Sequence, residues 1–386
     1  MTASLSLPRI MRVGPGAAEE LGEVITGLGL QRPLVVTDGF LAGTGAAERL
    51  AATLTAAGLH PAVFADTVPD PTTDSLAPGL EALHGHRADA VIGFGGGSPM
   101  DTAKALALLG VRGGAMRDYK APRVNHGPAL PVIAVPTTAG SGSEATQFTI
   151  ITDSATDEKM LCMGPAFLPL AAVVDVELTV SMPPRLTADT GIDALTHAVE
   201  AYVSRKANPF SDGLALTAIA TIGRHLRRVY ADGGDIEARE AMMLAATQAG
   251  IAFSNSSVAL VHGMSRPIGA HFHVAHGLSN AMLFPAVTAF SVHAAPGRYA
   301  DCARALGSAS ETDGDALAAD RLVEALRALC RDLDVPTPHG YGIDRETWAG
   351  LTPLMAEQAL ASGSPHNNPA VPTAEEIQDL YARIYA

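Results

Sequence analysis

The sequence predicts an α/β domain over residues 1–182, followed by an all-α domain over residues 183–386. Three observations support this prediction. Short β-branched runs alternate with helical patterns through the first half, which is typical of parallel βαβ units. After Pro183 and Pro184 the pattern becomes almost wholly helical. A chain of 386 residues with 47% hydrophobic content is also long and apolar enough to form two domains.

The first half contains apolar runs that we interpret as strands: PLVVTDG, PAVFADT, ADAVIGFG and PVIAVP. The segments AERLAATLTAAG, LAPGLEALHGH and DTAKALALLG, which lie between them, have the spacing of helices. Strands separated by helices in this way predict a parallel sheet.

The run ADAVIGFG ends in a glycine-rich turn that contains Gly95, Gly96, Gly97 and Ser98. Glycines remove side chains where a backbone must approach a ligand, and a helix N-terminus offers free N–H groups to a pyrophosphate. We expect Ser98 to cap the following helix, with Pro99 in its first turn and Asp101 as the acid of a capping box. The spacing differs from G-x-G-x-x-G, so an ordinary structural turn is the alternative.

Two further segments have the chemistry of a dinucleotide site. Asp38 ends the run LVVT, where a carboxylate can bind a ribose diol and repel a 2′-phosphate, which favours NAD over NADP. A simple turn acid is the alternative for this residue. A run of small residues after PVIAVP can wrap phosphates or a nicotinamide, or form a flexible loop. This run includes Thr137, Thr138, Ser141 and Ser143.

The helical half contains one carboxylate and three imidazoles that can hold a divalent metal. Asp193 and His197 are four residues apart among good helix formers, so both project from one helix face. His262 and His276 are fourteen residues apart, with a proline and a glycine between them that let the chain leave a helix and return. Carboxylate and imidazole suit Zn(II), Fe(II) and related ions. For the first two residues, a satisfied polar pair is the alternative.

Charge and cysteine content exclude several classes of partner. The 40 acidic and 26 basic residues give a net charge of −14, which disfavours nucleic acid and anionic membranes and favours a small-molecule partner. Cys162, Cys302 and Cys330 are widely spaced, which predicts neither disulfides nor a thiolate metal site. We therefore expect a cytoplasmic protein. The first residues lack a signal-peptide pattern, and no apolar run reaches the roughly 18 residues that a membrane helix requires.

Four motifs lie in order along the chain: GGGSPMDTAK (95–104), PTTAGSGSEAT (136–146), TGIDALTHAVEAY (190–202) and HGMSRPIGA with AHG (262–277). With these motifs the chain resembles, over nearly its whole length, the iron-dependent (group III) alcohol dehydrogenases of the dehydroquinate-synthase-like superfamily. This resemblance implies a Rossmann-like dinucleotide domain and an all-α metal-binding domain. It also implies NAD(H)-linked hydride transfer to or from a metal-bound small alcohol or aldehyde, with Fe(II) as the metal and Zn(II) possible, in a homodimer or larger homo-oligomer.

The resemblance further implies roles for individual residues. The metal ligands would be Asp193, His197, His262 and His276. The residues in contact with the dinucleotide would be Gly95, Gly96, Gly97, Ser98, Thr137, Thr138 and, at the adenosine ribose, Asp38. The nicotinamide side would be lined by Ser141, Ser143, Phe148, Lys159 and Leu178.

One position departs clearly from the family pattern. Many relatives have a second histidine four residues after the first, often proposed as a proton relay, whereas this chain has Arg266. Arginine stays protonated at ordinary pH, so His271, His273 or water would relay the proton instead. Because Arg266 lies one helical turn from His262, we hypothesise that it binds an anionic substrate group. Pairing with a nearby acid is the alternative. A smaller departure is Asp70, where relatives often have asparagine.

Three other functions are compatible with these residues. A zinc polyol dehydrogenase of the glycerol type would share fold and chemistry, and metal analysis after anaerobic purification separates it from the iron type. A lyase like dehydroquinate synthase would use NAD transiently and would not accumulate NADH with simple alcohols. A non-enzymatic binding protein would hold neither metal nor NAD.

Overall fold

A computed structural model describes residues 3–386, which form two compact units. One unit is Ser4–Ser181 and the other contains Met182–Ala386. The first combines strands with helices, and every element described after Ser181 is helical. The predicted fold class, α/β followed by all-α, is confirmed.

The strands of the first unit form a parallel sheet and a separate hairpin. They are β1 Ile10–Val13, β2 Pro33–Asp38, β3 Ala62–Thr67, β4 Ala90–Gly95, β5 Val132–Pro136, β6 Phe148–Asp153, β7 Glu158–Met163 and β8 Ala171–Val174. The sheet has the order β1-β8-β5-β4-β2-β3, and all its neighbouring strands are parallel. Strands β6 and β7 pair antiparallel outside that sheet.

The inner strands β2, β4, β5 and β8 are buried on both faces of the sheet, which explains why they read as continuous apolar runs. Along β4, Val91 belongs to the same apolar cluster as Leu106, whereas Ile92 belongs to a second cluster with Leu21. Successive residues of a strand point to opposite faces, so this short strand contributes to both clusters.

The helices of this unit are α1 Leu21–Gly27, α2 Gly39–Gly43, α3 Ala46–Ala56, α4 Leu76–His86 and α5 Gly97–Arg112. The predicted cap of α5 is wrong, because the helix begins at Gly97 and no side chain caps it. Ser98 therefore lies in the first turn, and the Asp101 carboxylate accepts hydrogen bonds from Ser143 and Ile150 rather than from the helix start. The physical reason is the turn at Gly95, whose φ of 148° lets the chain enter a helix directly after β4.

The second unit is built from α6 Pro184–Val203, α7 Pro209–Ala231, α8 Ile236–Ser254, α9 Leu260–Phe272, α10 His276–Ser291, α11 Pro296–Leu306, α12 Asp315–Asp332, α13 Pro338–Tyr341, α14 Arg345–Ala361 and α15 Ala374–Ile384. Helix α6 packs against α7, α8 and α10 and is buried almost throughout from Thr187 onward. Carboxylates and imidazoles on a helix this buried require partners, because an isolated buried charge is strongly unfavourable. Within residues 3–386, none of the helices combines the length and apolar character needed to cross a membrane.

Candidate functional site

The helical unit brings together the four predicted metal ligands. Asp193 and His197 project from α6, His262 from α9, and His276 is the first residue of α10. One potential ligand atom from each of the four lies within 4.8 Å of the others. Residues separated by up to 83 positions (193 to 276) therefore form a single cluster.

A single carboxylate oxygen is central to this cluster. The Oδ1 atom of Asp193 lies 3.9 Å from His197 Nε2, 3.5 Å from His262 Nε2 and 3.7 Å from His276 Nε2. The rings of His197 and His262 are stacked, with centroids 4.4 Å apart. Burial by itself raises the pKa of Asp193, but the three imidazoles hold that pKa well below its usual range. An ionised carboxylate surrounded by three imidazole nitrogens fits a divalent cation such as Fe(II) or Zn(II).

The cluster is closed on one side and open on another. Asp193, His197 and His262 are each less than 5% exposed, whereas the side chain of His276 is 42% exposed. The ring of Phe253 stacks on His197 at a centroid distance of 4.3 Å and covers it. A small molecule can therefore reach the cluster from the side of His276.

Glu200 is a site residue that the sequence analysis missed. Its Oε2 lies 2.6 Å from His262 Nδ1, and its Oε1 accepts a hydrogen bond from the Val261 N–H at 2.6 Å. Carboxylates that hold the far nitrogen of a ligating imidazole fix its tautomer and orientation. The available signal was its spacing, since Glu200 follows His197 by three residues on the same helix.

Asn280 is a second residue that the sequence analysis missed. Its Nδ2 lies 2.6 Å from Asp193 Oδ1, 3.1 Å from His262 Nε2 and 3.3 Å from His276 Nε2. It follows His276 by four residues on α10, which was the available signal. The Asn280 amide therefore contacts predicted metal ligands from the three helices α6, α9 and α10.

Two glycines permit the close helix packing around the cluster. A Cβ at Gly277 would lie 2.5 Å from the Asp189 carbonyl oxygen, so only glycine lets the start of α10 approach α6. A Cβ at Gly263 would lie 2.7 Å from Pro365 Cδ, in the 3-10 helix Ser364–Asn367.

Three predicted residues lie farther along α9 and at its end. Arg266 donates from Nη1 to the Ser364 hydroxyl at 3.0 Å. His271 Nε2 lies 2.8 Å from Gln358 Oε1, and His273 ends the helix with a φ of 54° on the protein surface. The relay function of either histidine stays a prediction.

In the first unit, the strand order creates a topological switch point between β2 and β4. Strand β2 connects outward to β3, whereas β4 connects through α5 to β5 on the opposite side. Ligands of open parallel sheets bind outside the carboxyl ends of the strands at such a point. Asp38 and Gly95 end these two strands, so both lie at that edge. Asp38 also accepts a hydrogen bond from the Leu41 N–H and caps α2.

The predicted loop after β5 packs against the glycine-rich turn. Thr137 donates its N–H to the Gly95 carbonyl at 3.0 Å. A Cβ at Gly96 would lie 3.5 Å from Thr138, and one at Gly97 would lie 3.6 Å from Ser141. The two small-residue segments therefore form one backbone-rich surface beside the uncapped start of α5.

A buried lysine joins this loop to α5. The Nζ of Lys104 donates to the Ser143 hydroxyl, both oxygens of Thr146 and the Phe148 carbonyl, at 2.8 to 3.1 Å. Burial lowers the pKa of Lys104 to about 8, and the nearby Asp101 acts in the opposite direction. Ser143 also donates to Asp101 at 3.2 Å.

The other predicted nicotinamide residues occupy separate elements of the same unit. Phe148 begins β6 and Lys159 lies on β7, where its Nζ pairs with Asp70 Oδ1 at 3.0 Å. Asp70 has a φ of 48° and donates its N–H to the Ser98 hydroxyl. Leu178 lies in the 3-10 helix Val176–Thr179 and packs against the apolar cluster that contains Ile92.

Known proteins share both halves of this arrangement. Residues 8–176 match the family described as iron-containing alcohol dehydrogenase, and residues 187–385 match the C-terminal part of the Fe-containing alcohol dehydrogenase family. The chain is 37% identical to an NAD-dependent methanol dehydrogenase of Bacillus methanolicus, covering 97% of each chain. It is 37% identical to the lactaldehyde reductase of Escherichia coli (strain K12), covering 95% of this chain and 96% of the relative. The crystal structure of a 1,3-propanediol oxidoreductase matches with a TM-score of 0.95 and 33% identity over 100% of both chains.

The two family matches follow the same order as the two structural units, and the relatives extend over nearly the whole chain. The resemblance seen in the sequence motifs is thereby confirmed. The chain belongs to the iron-containing alcohol dehydrogenase family.

Proposed function

We propose that the chain is a metal-dependent, NAD(H)-linked alcohol dehydrogenase or aldehyde reductase that acts on a small alcohol or aldehyde. The observation that carries the proposal is the convergence of four donor atoms within 4.8 Å. In this proposal residues 1–182 bind the dinucleotide, and residues 183–386 bind the metal and the substrate.

The proposed metal ligands are Asp193, His197, His262 and His276. When bound, the divalent ion supplies Lewis acidity to a substrate oxygen. Fe(II) is the proposed metal because of the family, and Zn(II) suits the same donors. Asp193 supplies the one negative charge of the set, Glu200 holds the His262 ring, and Phe253 keeps water from one face of His197.

The dinucleotide is proposed to bind at the carboxyl edge of the sheet. Its phosphates would lie on Gly95, Gly96, Gly97, Ser98, Thr137 and Thr138, whose backbone groups surround the uncapped start of α5. Asp38 would bind the adenosine ribose. The nicotinamide, which takes or gives the hydride, would lie near Ser141, Ser143, Phe148, Lys159 and Leu178. Asp101 would act indirectly, by holding Ser143.

Arg266 is not suited to relay a proton, because burial lowers its pKa only to about 10. We propose that His271, His273 or water takes this part. Replacing each histidine with glutamine tests the proposal: a relay variant should lower kcat and alter its pH profile at unchanged metal content. If the pH profile of kcat is unchanged in both variants, the two histidines are excluded as proton relays and water takes this part.

Metal binding and turnover test the main proposal together. Purified metal-free protein should bind one Fe(II) anaerobically and then oxidise NADH with short aldehydes. Asp193→Ala and His276→Ala should lose the metal, whereas His293→Ala, which removes an exposed imidazole of the same unit, should retain it. Equal metal content in all variants would refute the ligand assignment.

Two measurements separate the related activities. Iron after anaerobic purification favours the iron type, and zinc favours a polyol dehydrogenase. Sustained accumulation of NADH with simple alcohols excludes a lyase that uses NAD only transiently.

We also propose a location and an assembly for the protein. Free thiols at Cys162 and Cys302, both buried, support a reducing cytoplasm. The family resemblance supports a homodimer or larger homo-oligomer. Light scattering after size-exclusion chromatography measures the assembly directly, and a mass near 39.7 kDa would contradict it.

A further inference from the structure

Arg266 is a largely buried cation one turn along α9 from His262. Side chains four residues apart project from the same helix face, which places Arg266 beside the metal cluster. Burial lowers the pKa of Arg266 to about 10, and the charge of Glu200 acts in the opposite direction. The guanidinium is therefore charged at neutral pH, and a desolvated charge requires a partner.

The part of the chain that the structure describes supplies no carboxylate partner for Arg266. Within residues 3–386, no carboxylate oxygen lies within 4.0 Å of the Arg266 nitrogens. The charge of Glu200 acts on the Arg266 guanidinium and raises its pKa. Both Glu200 oxygens, however, already have partners, namely the Val261 N–H and His262 Nδ1.

Arg239, a buried arginine in the same unit, provides a contrast. Its Nε donates to the Gly233 carbonyl, its Nη1 to the Thr187 hydroxyl and its Nη2 to the Met182 carbonyl. All three of its nitrogens are therefore engaged by the protein. Arg266 makes one hydrogen bond in the described chain, to Ser364, and a guanidinium has five N–H groups.

Ser364 adds a second donor at the same place. Its hydroxyl oxygen accepts from Arg266, so its own proton is available to another acceptor. Ser364 is only 4% exposed, and the close contact of Pro365 with Gly263 holds its 3-10 helix against α9. Two donors thus converge in a largely buried position next to the metal cluster.

We propose that Arg266 and Ser364 together bind the anionic group of the substrate, which is then a short alcohol or aldehyde bearing a carboxylate, sulfonate or phosphonate. A guanidinium binds such groups through two parallel hydrogen bonds. His262 and Arg266 are separated by about 6 Å of helix, which suits a substrate of roughly two to four carbons. This inference rests on the proposed function, because it names the substrate class of the same site.

Paired substrates of matched length test the anchor. The wild-type protein should reduce 4-oxobutanoate with a kcat/KM about 10- to 100-fold above that for butanal. Arg266→Gln, which keeps a donor for Ser364 but removes the charge, should abolish this preference mainly through KM. Arg266→Lys should retain part of it. An equal loss on both aldehydes would overturn the anchor.

Binding without turnover separates failure of the anchor from failure of the proposed function. Ethylphosphonate, an unreactive anion, should bind the wild-type protein in calorimetry and bind Arg266→Gln at least about tenfold more weakly. That result supports the anchor even if no aldehyde is reduced. Equal binding by both proteins, or none by the wild type, overturns it.

Thermal stability distinguishes a binding residue from a structural one. Arg266→Met removes a buried charge without an acidic partner, so its unfolding temperature should equal or exceed that of the wild type. Arg239→Met leaves protein acceptors without donors, so its unfolding temperature should fall by about 3 °C or more. A fall of similar size in Arg266→Met would indicate a structural role and contradict the proposal.

Discussion

At the scale of single residues, the cluster depends on the groups behind its donors as much as on the donors themselves. Glu200 Oε2 lies 2.6 Å from His262 Nδ1 and holds the ring so that Nε2 is the atom nearest to Asp193. Asn280 connects Asp193 with two of the imidazoles. These contacts hold the donors in place before any ion arrives, which reduces the entropy lost on binding.

Replacing Glu200 with glutamine should weaken metal binding about 10- to 100-fold, because the His262 ring loses its charged partner. Competition with a chromophoric chelator measures the affinity of wild type and variant for Zn(II) or Co(II). Glu237→Gln is the matched control, since that side chain is 78% exposed on α8. Equal affinity in Glu200→Gln and wild type would contradict a positioning role.

Asp38 permits a test in which two roles of one side chain are separated. Asparagine keeps the acceptor that caps α2 but removes the charge proposed to repel a 2′-phosphate. Asp38→Asn should therefore preserve stability and raise the ratio of NADPH to NADH activity by about tenfold or more. An unchanged ratio, measured as kcat/KM for each cofactor, would show that the ribose assignment is wrong.

At the scale of elements, the sequence predicted those features that local patterns determine. Strands β2 to β5 were identified because each is a short, largely apolar run bounded by glycine, proline or a helical segment. The four-residue strands β1 and β8 and the β6–β7 hairpin were not identified, since short or partly alternating runs resemble loops. The predicted cap at Ser98 was wrong because the conformation of Gly95 lets α5 begin at Gly97, which places Ser98 inside the helix.

The candidate site likewise contains residues that local patterns predict and residues that only the folded chain brings together. The four proposed metal ligands could be predicted because they form two pairs, Asp193 with His197 and His262 with His276, within motifs that resemble those of the family. Glu200 and Asn280 were missed because their contacts with His262 and Asp193 join positions 62 and 87 residues apart, and such contacts exist only in the folded chain. The sequence also could not show that no carboxylate oxygen within residues 3–386 lies within 4.0 Å of the Arg266 nitrogens. From the sequence, an ion pair with an acid and a site for an anionic substrate group were therefore equally open.

Lys104 is the clearest case of a residue that holds elements together. Lys104→Met should lower the free energy of unfolding by roughly 2–5 kcal/mol, because buried acceptors on β6 and in the loop before it lose their donor. Urea denaturation measures the change. Lys120→Met, which removes a partly exposed lysine paired with Glu158, should lower it by less than about 1 kcal/mol. Equal losses of unfolding free energy in the two variants would contradict the proposal that Lys104 holds these elements together.

At the scale of the whole molecule, the residues proposed for metal binding and those proposed for dinucleotide binding lie in different units of the chain. All four proposed ligands lie in Met182–Ala386, whereas the proposed dinucleotide residues lie in Ser4–Ser181. A bound metal ion should therefore stabilise Met182–Ala386 first, and a bound dinucleotide should stabilise Ser4–Ser181 first. The reason is that a molecule that binds only the folded form shifts the unfolding equilibrium by mass action.

Hydrogen exchange can follow this division along the chain. Zn(II) or Fe(II) should slow amide exchange in α6, α9 and α10, while NADH should slow it around β2, β4 and the start of α5. Asp193→Ala should abolish the first effect and leave the second. Uniform protection of the whole chain by the metal would contradict the separate assignment of the two tasks.

The Arg266 guanidinium, which has no carboxylate partner within residues 3–386, also has a practical consequence for anyone who assays this protein. Phosphate and sulfate from a buffer present the same oxygens as an anionic substrate and would compete for the same two donors. Rates with anionic aldehydes should then be lower in phosphate than in a zwitterionic buffer of equal ionic strength, while rates with neutral aldehydes change little. An activity screen in phosphate would therefore conceal the substrates that the protein selects best.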